Sequence, residues 1–97
     1  MIQSFGDSGT QDIFNGINSK RARKKLDPSL HSIAHRKLDM IDAAHNLNDL
    51  KVPPSNHLEA LKGVLQGYYS IRINVQYRII FIWKAPGAEK VEIVDYH

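Results

Sequence analysis

Tyr68-Tyr69-Ser70-Ile71-Arg72-Ile73-Asn74-Val75-Gln76-Tyr77-Arg78-Ile79-Ile80-Phe81-Ile82-Trp83-Lys84 is the stretch that decides the fold. The first half alternates polar and apolar residues and the second is rich in β-branched and aromatic side chains, both patterns of strands. On the first half Tyr69, Ile71 and Ile73 share a face; on the second, Tyr77, Ile79, Phe81 and Trp83 do. Residues directly opposite in an antiparallel pair point to the same side, so both apolar sets reach one core only if Ile73 stands opposite Tyr77. Asn74, Val75 and Gln76 then form the turn, and Arg72 falls opposite Arg78 on the other face. Two cations across a ladder repel each other. Either both snorkel into solvent, or an anion belongs over them. Ile80 and Ile82 share the Arg78 face, so the expectation is a partly covered concavity with cations at its floor.

On the C-terminal side, Pro86-Gly87 turns the chain and residues 91–97 read as a last strand, with Asp95 and His97 on one face and Tyr96 on the other. On the N-terminal side, residues 58–62 read as a short strand and 63–67 as a turn. Asp27-Pro28 is a helix start, an N-cap followed by proline at the first helical position. Leu30, Ile33, Ala34, Leu38, Ile41 and Ala44 recur at helical spacing as far as about His45. Leu47 and Leu50 extend the buried contacts, and Pro53-Pro54 excludes further helix. A short helix is expected over 10–15, and Met1-Ile2-Gln3-Ser4-Phe5 reads as a first strand. The order predicts an α+β fold, two N-terminal helices packed on a twisted, mostly antiparallel sheet, forming a single domain over 1–97.

The chain carries 13 Lys and Arg against 10 Asp and Glu, a net charge of +3, which points to polyanionic partners. Five of those 13 cations, Lys20, Arg21, Arg23, Lys24 and Lys25, crowd into the polar segment 18–26. That segment reads as a mobile connector or as a phosphate-seeking arm. The absence of cysteine excludes disulfides and thiolate chemistry. No apolar run has the length of a membrane span, and no signal-peptide layout is visible at Met1, so a cytoplasmic protein without a membrane partner is expected.

Chemistry gathers on the last strand. Histidine is the usual acid or base near neutral pH, and a carboxylate such as Asp95 can orient it and raise its pKa. A terminal histidine alone reads more simply as a frayed end. A second constellation, His31, His35 and Asp39 with Asp42 nearby, has two histidines at a zinc-binding spacing. They lie off the apolar stripe, so a solvated helix surface is the reading adopted, and no metal or other cofactor is assigned.

The pieces together resemble the HigB group of toxins in the RelE-like superfamily, bacterial ribosome-dependent mRNA endonucleases. The resemblance rests on Met1-Ile2-Gln3-Ser4-Phe5, on Leu58-Glu59-Ala60-Leu61-Lys62-Gly63, on Ser70-Ile71-Arg72-Ile73-Asn74 with Gln76-Tyr77-Arg78, and on Glu92-Ile93-Val94-Asp95-Tyr96-His97. It implies metal-independent cutting of mRNA in the ribosomal A site, by attack of the ribose 2′-oxygen on the adjacent phosphate. That chemistry needs a base, cations for the developing negative charge and an acid for the leaving oxygen. By the resemblance His97 is the base or acid, Asp95 tunes it, Tyr96 hydrogen-bonds or stacks on the nucleotide, Arg78 stabilises the phosphate and Lys62 matches the lysine of a His-Pro-Leu-Lys run. Arg72 and the Lys20–Lys25 cations are candidate RNA contacts, with antitoxin contact the alternative for the basic segment. The chain departs from the pattern at Glu59, where many relatives have histidine. A Glu59 base, or partial substitution by His57 on the same face of an in-phase strand, are the alternatives. The resemblance also implies a HigA-like helix-turn-helix antitoxin as partner, with operator DNA reached only through it, and 16S rRNA as the docking surface. Two other readings are a non-catalytic RNA-binding module, using Tyr68, Tyr77 and the arginines, and a weak toxin acting mainly as a transcriptional co-repressor.

Overall fold

A computed structural model describes residues 1–96. Among them are three α-helices, α1 (Ser8–Phe14), α2 (Lys20–Lys25) and α3 (His31–Ala43), followed by four strands, β1 (Glu59–Ala60), β2 (Tyr68–Arg72), β3 (Tyr77–Lys84) and β4 (Gly87–Asp95). The sheet runs β1-β2-β3-β4 with every neighbouring pair antiparallel. This is the expected α+β architecture. The hairpin has the expected register: Arg72 pairs with Arg78, and the Ile73 amide donates to the Tyr77 carbonyl at 2.9 Å. Asn74 closes the turn by accepting from the amides of Gln76 and Tyr77.

Between the helices and the sheet lies one cluster of buried side chains. It includes Leu38 and Ile41 from α3, Ile71 and Ile73 at β2, Ile79 and Phe81 from β3, and Val91 and Ile93 from β4. Each such side chain fully withdrawn from water contributes about 1.5–3 kcal/mol. The alternation that placed these residues inward also sends Tyr68, Ser70, Arg72, Arg78, Ile80 and Ile82 to the opposite face, where the register sets Glu59 opposite Ser70 and Val94 opposite Arg78. A bulge between Ile80 and Ile82 shifts the β3–β4 pairing, and Lys90 takes up the extra residue at φ 54°. It leaves β2–β3 untouched.

Several expectations are corrected. The basic segment is not a connector but helix α2. Its short length hid its periodicity, yet the Ser19 side chain caps it, and Ala22 and Leu26 are core residues. Residues 1–5 do not form a full strand: they run parallel to β4 through isolated bridges at Ile2–Ala88 and Phe5–Val91. They nevertheless satisfy the β4 edge, with the Ala88 amide donating to Met1 O and the Val91 amide to Ser4 O. A Cβ on Gly87 would lie 1.7 Å from Met1 O, so only glycine admits this approach. Finally, β4 begins at Gly87 rather than Val91 and β1 shrinks to two residues. The helix begun at Asp27-Pro28 starts as a 3-10 turn before α3, whose apolar stripe is interrupted by one buried cation, Lys37.

Candidate active site

Arg78 is 7% exposed, on the sheet face turned away from the helices. A charge so far from water must be paired or hydrogen-bonded. Its Nη1 donates to Ser70 Oγ at 2.9 Å and to the His57 carbonyl oxygen at 3.3 Å. Its Nη2 meets Glu59 Oε1 at 3.2 Å, a carboxylate whose side chain is 49% exposed. The Tyr96 ring lies over the guanidinium, 5.3 Å from Cζ to centroid, within cation–π range. Arg72, its cross-strand neighbour, is half-buried and forms no ion pair among the described residues. Arg78, Glu59, Tyr96 and Arg72 therefore converge on one face. Leu61 and Ile80 are buried outside the main cluster, so this face is partly covered, as expected from Ile80 and Ile82 beside Arg78.

The other expected residues fall elsewhere. Lys62, two residues past β1, is exposed and lines a separate cleft of about 470 Å³ with Leu61, Gln66, Tyr68 and Tyr69. Asp95 pairs with Tyr77, which places it on the side opposite Arg78; its Oδ2 accepts from Gln76 Nε2 at 3.0 Å. Tyr96 donates its amide to the Gln76 carbonyl at 2.7 Å, so the chain is held as far as this residue. His97 lies outside the described residues. His57 is not in phase with β1: it caps a 3-10 turn at φ 46°, and meets Arg78 through its carbonyl rather than its ring. Ser70 and Gln76 entered the sequence analysis only as strand, turn and motif residues, with no role at the site. A buried hydroxyl and a turn amide carry no signature beyond their neighbours.

The five cations of α2 divide by partner. Arg21 is committed to Asp12, with Nε 2.8 Å and Nη2 3.2 Å from the carboxylate oxygens. That guanidinium and the Ser19 hydroxyl hold the Asp12 carboxyl below its ordinary range. Lys25 bridges Asp7 at 3.0 Å and Glu92 at 3.3 Å, tying α2 to α1 and β4. Arg23 donates to the Asn18 carbonyl at 2.7 Å. Lys20 and Lys24 are exposed without an ion pair among the described residues. His31 and His35 are not simply solvated: His31 Nε2 lies 2.7 Å from Leu26 O, His35 Nδ1 lies 3.2 Å from Ile13 O, and His35 Nε2 lies 3.3 Å from Asp39.

The fold is a small α+β type shared with solved proteins. It aligns with YoeB in the YoeB-YefM complex from Staphylococcus aureus at TM-score 0.61 and 21% identity, covering 100% of this chain and 95% of that one. The YoeB dimer of the same organism aligns at TM-score 0.59 and 21% identity, covering 99% and 94%. The family profile described as a RelE-like toxin of the type II toxin-antitoxin system, HigB, matches residues 3–97. Toxin HigB-1 of Vibrio cholerae serotype O1 is 48% identical over 83 residues, 86% of this chain and 84% of that protein. The chain belongs to the HigB-like toxin family.

Proposed function

We propose that this toxin is a ribosome-dependent mRNA endonuclease that cuts in the A site through 2′-hydroxyl attack. The observation that carries the reading is Arg78, a cation kept nearly dry, with a half-exposed carboxylate at one edge and an aromatic ring over its face. A phosphate that displaces Glu59 from Nη2 gains a preorganised cation where charge develops in the transition state. The displaced Glu59 carboxylate takes the 2′-hydroxyl proton. The 2′-oxygen bonds to phosphorus, the bond from phosphorus to the 5′-oxygen breaks, and His97 returns a proton to that oxygen. A 2′,3′-cyclic phosphate and a 5′-hydroxyl are left. Tyr96 stacks on or hydrogen-bonds the nucleotide, and Lys62 and Arg72 contact flanking phosphates; Asp95, on the other side of the sheet, holds the end of β4 through Gln76 and is no part of the phosphate site. Lys20, Arg23 and Lys24 on α2 dock ribosomal RNA. A helix-turn-helix antitoxin neutralises the toxin and carries it to operator DNA.

The test is to map new mRNA 5′ ends in translating ribosomes with wild-type protein and with Arg78→Ala. Wild type is expected to cut and to leave 5′-hydroxyls. The variant is expected to lose roughly 10²–10³-fold in rate, the cost of removing one transition-state donor. Intact mRNA with wild type, or translation blocked equally by both proteins, would replace the nuclease by a non-catalytic RNA binder.

A further inference from the structure

We propose that Ser70 is a positioning residue of the phosphate site, acting through Arg78; this rests on the role given to Arg78 above. Ser70 lies in the middle of β2 with no exposed surface, opposite Glu59 on one side and Ile80 on the other. A small polar residue at a buried strand position packs poorly and must satisfy its hydroxyl. It does so by accepting from Arg78 Nη1 at 2.9 Å. Its neighbours on the same face, Tyr68 and Arg72, offer a ring and a second cation instead.

Arginine carries five N–H donors in a rigid planar fork, so fixing one end fixes the rest. The Ser70 hydroxyl and the His57 carbonyl both accept from Nη1, which leaves Nη2 aimed at Glu59 and at the phosphate that takes its place. The second anchor is itself held firmly. The His57 amide donates to Pro54 O at 3.0 Å, and the preceding residue, Asn56, is fully buried. Asn56 donates to Leu50 O at 3.2 Å and accepts from the buried amine of Lys37 on α3. Ser70 is the half of this clamp that one substitution removes without disturbing the backbone. Without it the guanidinium keeps its charge and loses its aim.

The experiment is a double-mutant cycle on single-turnover cleavage of ribosome-bound mRNA, with thermal unfolding measured for each protein. It uses Ser70→Ala, Arg78→Lys and the combination; lysine keeps the charge and residual activity but has no fork to orient. Ser70→Ala alone should slow cleavage roughly 10–100-fold, the worth of a hydrogen bond to a charged group, while affinity for the ribosome complex stays within about threefold of wild type. In the Arg78→Lys background the same substitution should cost less than about threefold. An unchanged rate in Ser70→Ala, or an equal loss in both backgrounds, overturns the proposal. If the alanine variant does not fold, Ser70→Cys, near in size but a weak acceptor, is held to the same two criteria. If Arg78→Lys itself cleaves as fast as wild type, the fault lies in the role given to Arg78 and not in Ser70 alone.

Discussion

Glu59 stands where two demands meet: Arg78 needs a counterion in the free protein, and the ribose hydroxyl needs a base in the complex. Glu59→Gln separates them. The neutral amide neither competes for Nη2 as an anion nor accepts the 2′-proton as a base, so binding of RNA should hold or tighten. Single-turnover cleavage should fall by about 10²–10⁴-fold, the usual worth of a general base. Because the carboxylate is half exposed, the lost ion pair should cost only about 1 kcal/mol of stability. Fluorescence anisotropy with labelled RNA, beside a cleavage time course, reads both effects. A cleavage rate equal to wild type would remove Glu59 as the base. Sequence made this residue visible only as a departure from histidine. Its partnership with Arg78 depends on β1 pairing with β2 so that Glu59 falls opposite Ser70, a contact across a turn whose length no periodicity fixes.

Helix α2 shows where an element escapes sequence reading. A hairpin declares itself through alternation, so the Arg72/Arg78 pairing was legible from apolar spacing alone. Six residues with one buried alanine have no such period, and five cations mask the helix further. What makes it a helix is tertiary: the Ser19 cap, the seating of Ala22 and Leu26 in the core, and Arg21 on Asp12. Gly9 lets α1 come close enough, since a Cβ there would lie 2.9 Å from Arg21 O. Asp12 should therefore leave a mark on acid stability. Its folded-state pKa is lowered from 3.8, chiefly by the Arg21 hydrogen bond, so its stabilisation is complete above that value and is lost as pH falls below it through the folded pKa. Asp12→Asn should melt lower than wild type at pH 7, and the gap should begin to narrow only as pH falls below 3.8 and close once pH has passed the lowered folded-state pKa, where the wild-type carboxylate protonates too. Thermal unfolding followed by circular dichroism across that range is the measurement. A gap independent of pH would assign the loss to packing rather than to the charge.

At the scale of the whole molecule, two groups of cations are kept apart in function while the fold joins them in structure. The face away from the core helices carries Arg72 and Arg78; α2 carries Lys20, Arg23 and Lys24, and Lys25 ties that helix to β4 through Glu92. Arg78 is enclosed by Ser70, His57, Glu59 and Tyr96 and suits one phosphate held in one orientation. Lys20 and Lys24 are exposed and suit a polyanion met through long-range attraction, which is screened by salt. Charge reversal at both, Lys20→Glu with Lys24→Glu, should weaken association with ribosomes and flatten its dependence on salt, by a slope of about 1–2 in log affinity against log salt concentration. Single-turnover cleavage at saturating ribosomes should stay within about threefold of wild type, since neither lysine stabilises the transition state. Co-sedimentation over a salt series, paired with saturating cleavage, separates the two effects. A fall in saturating rate with unchanged association would move α2 from docking into the chemistry of the cut.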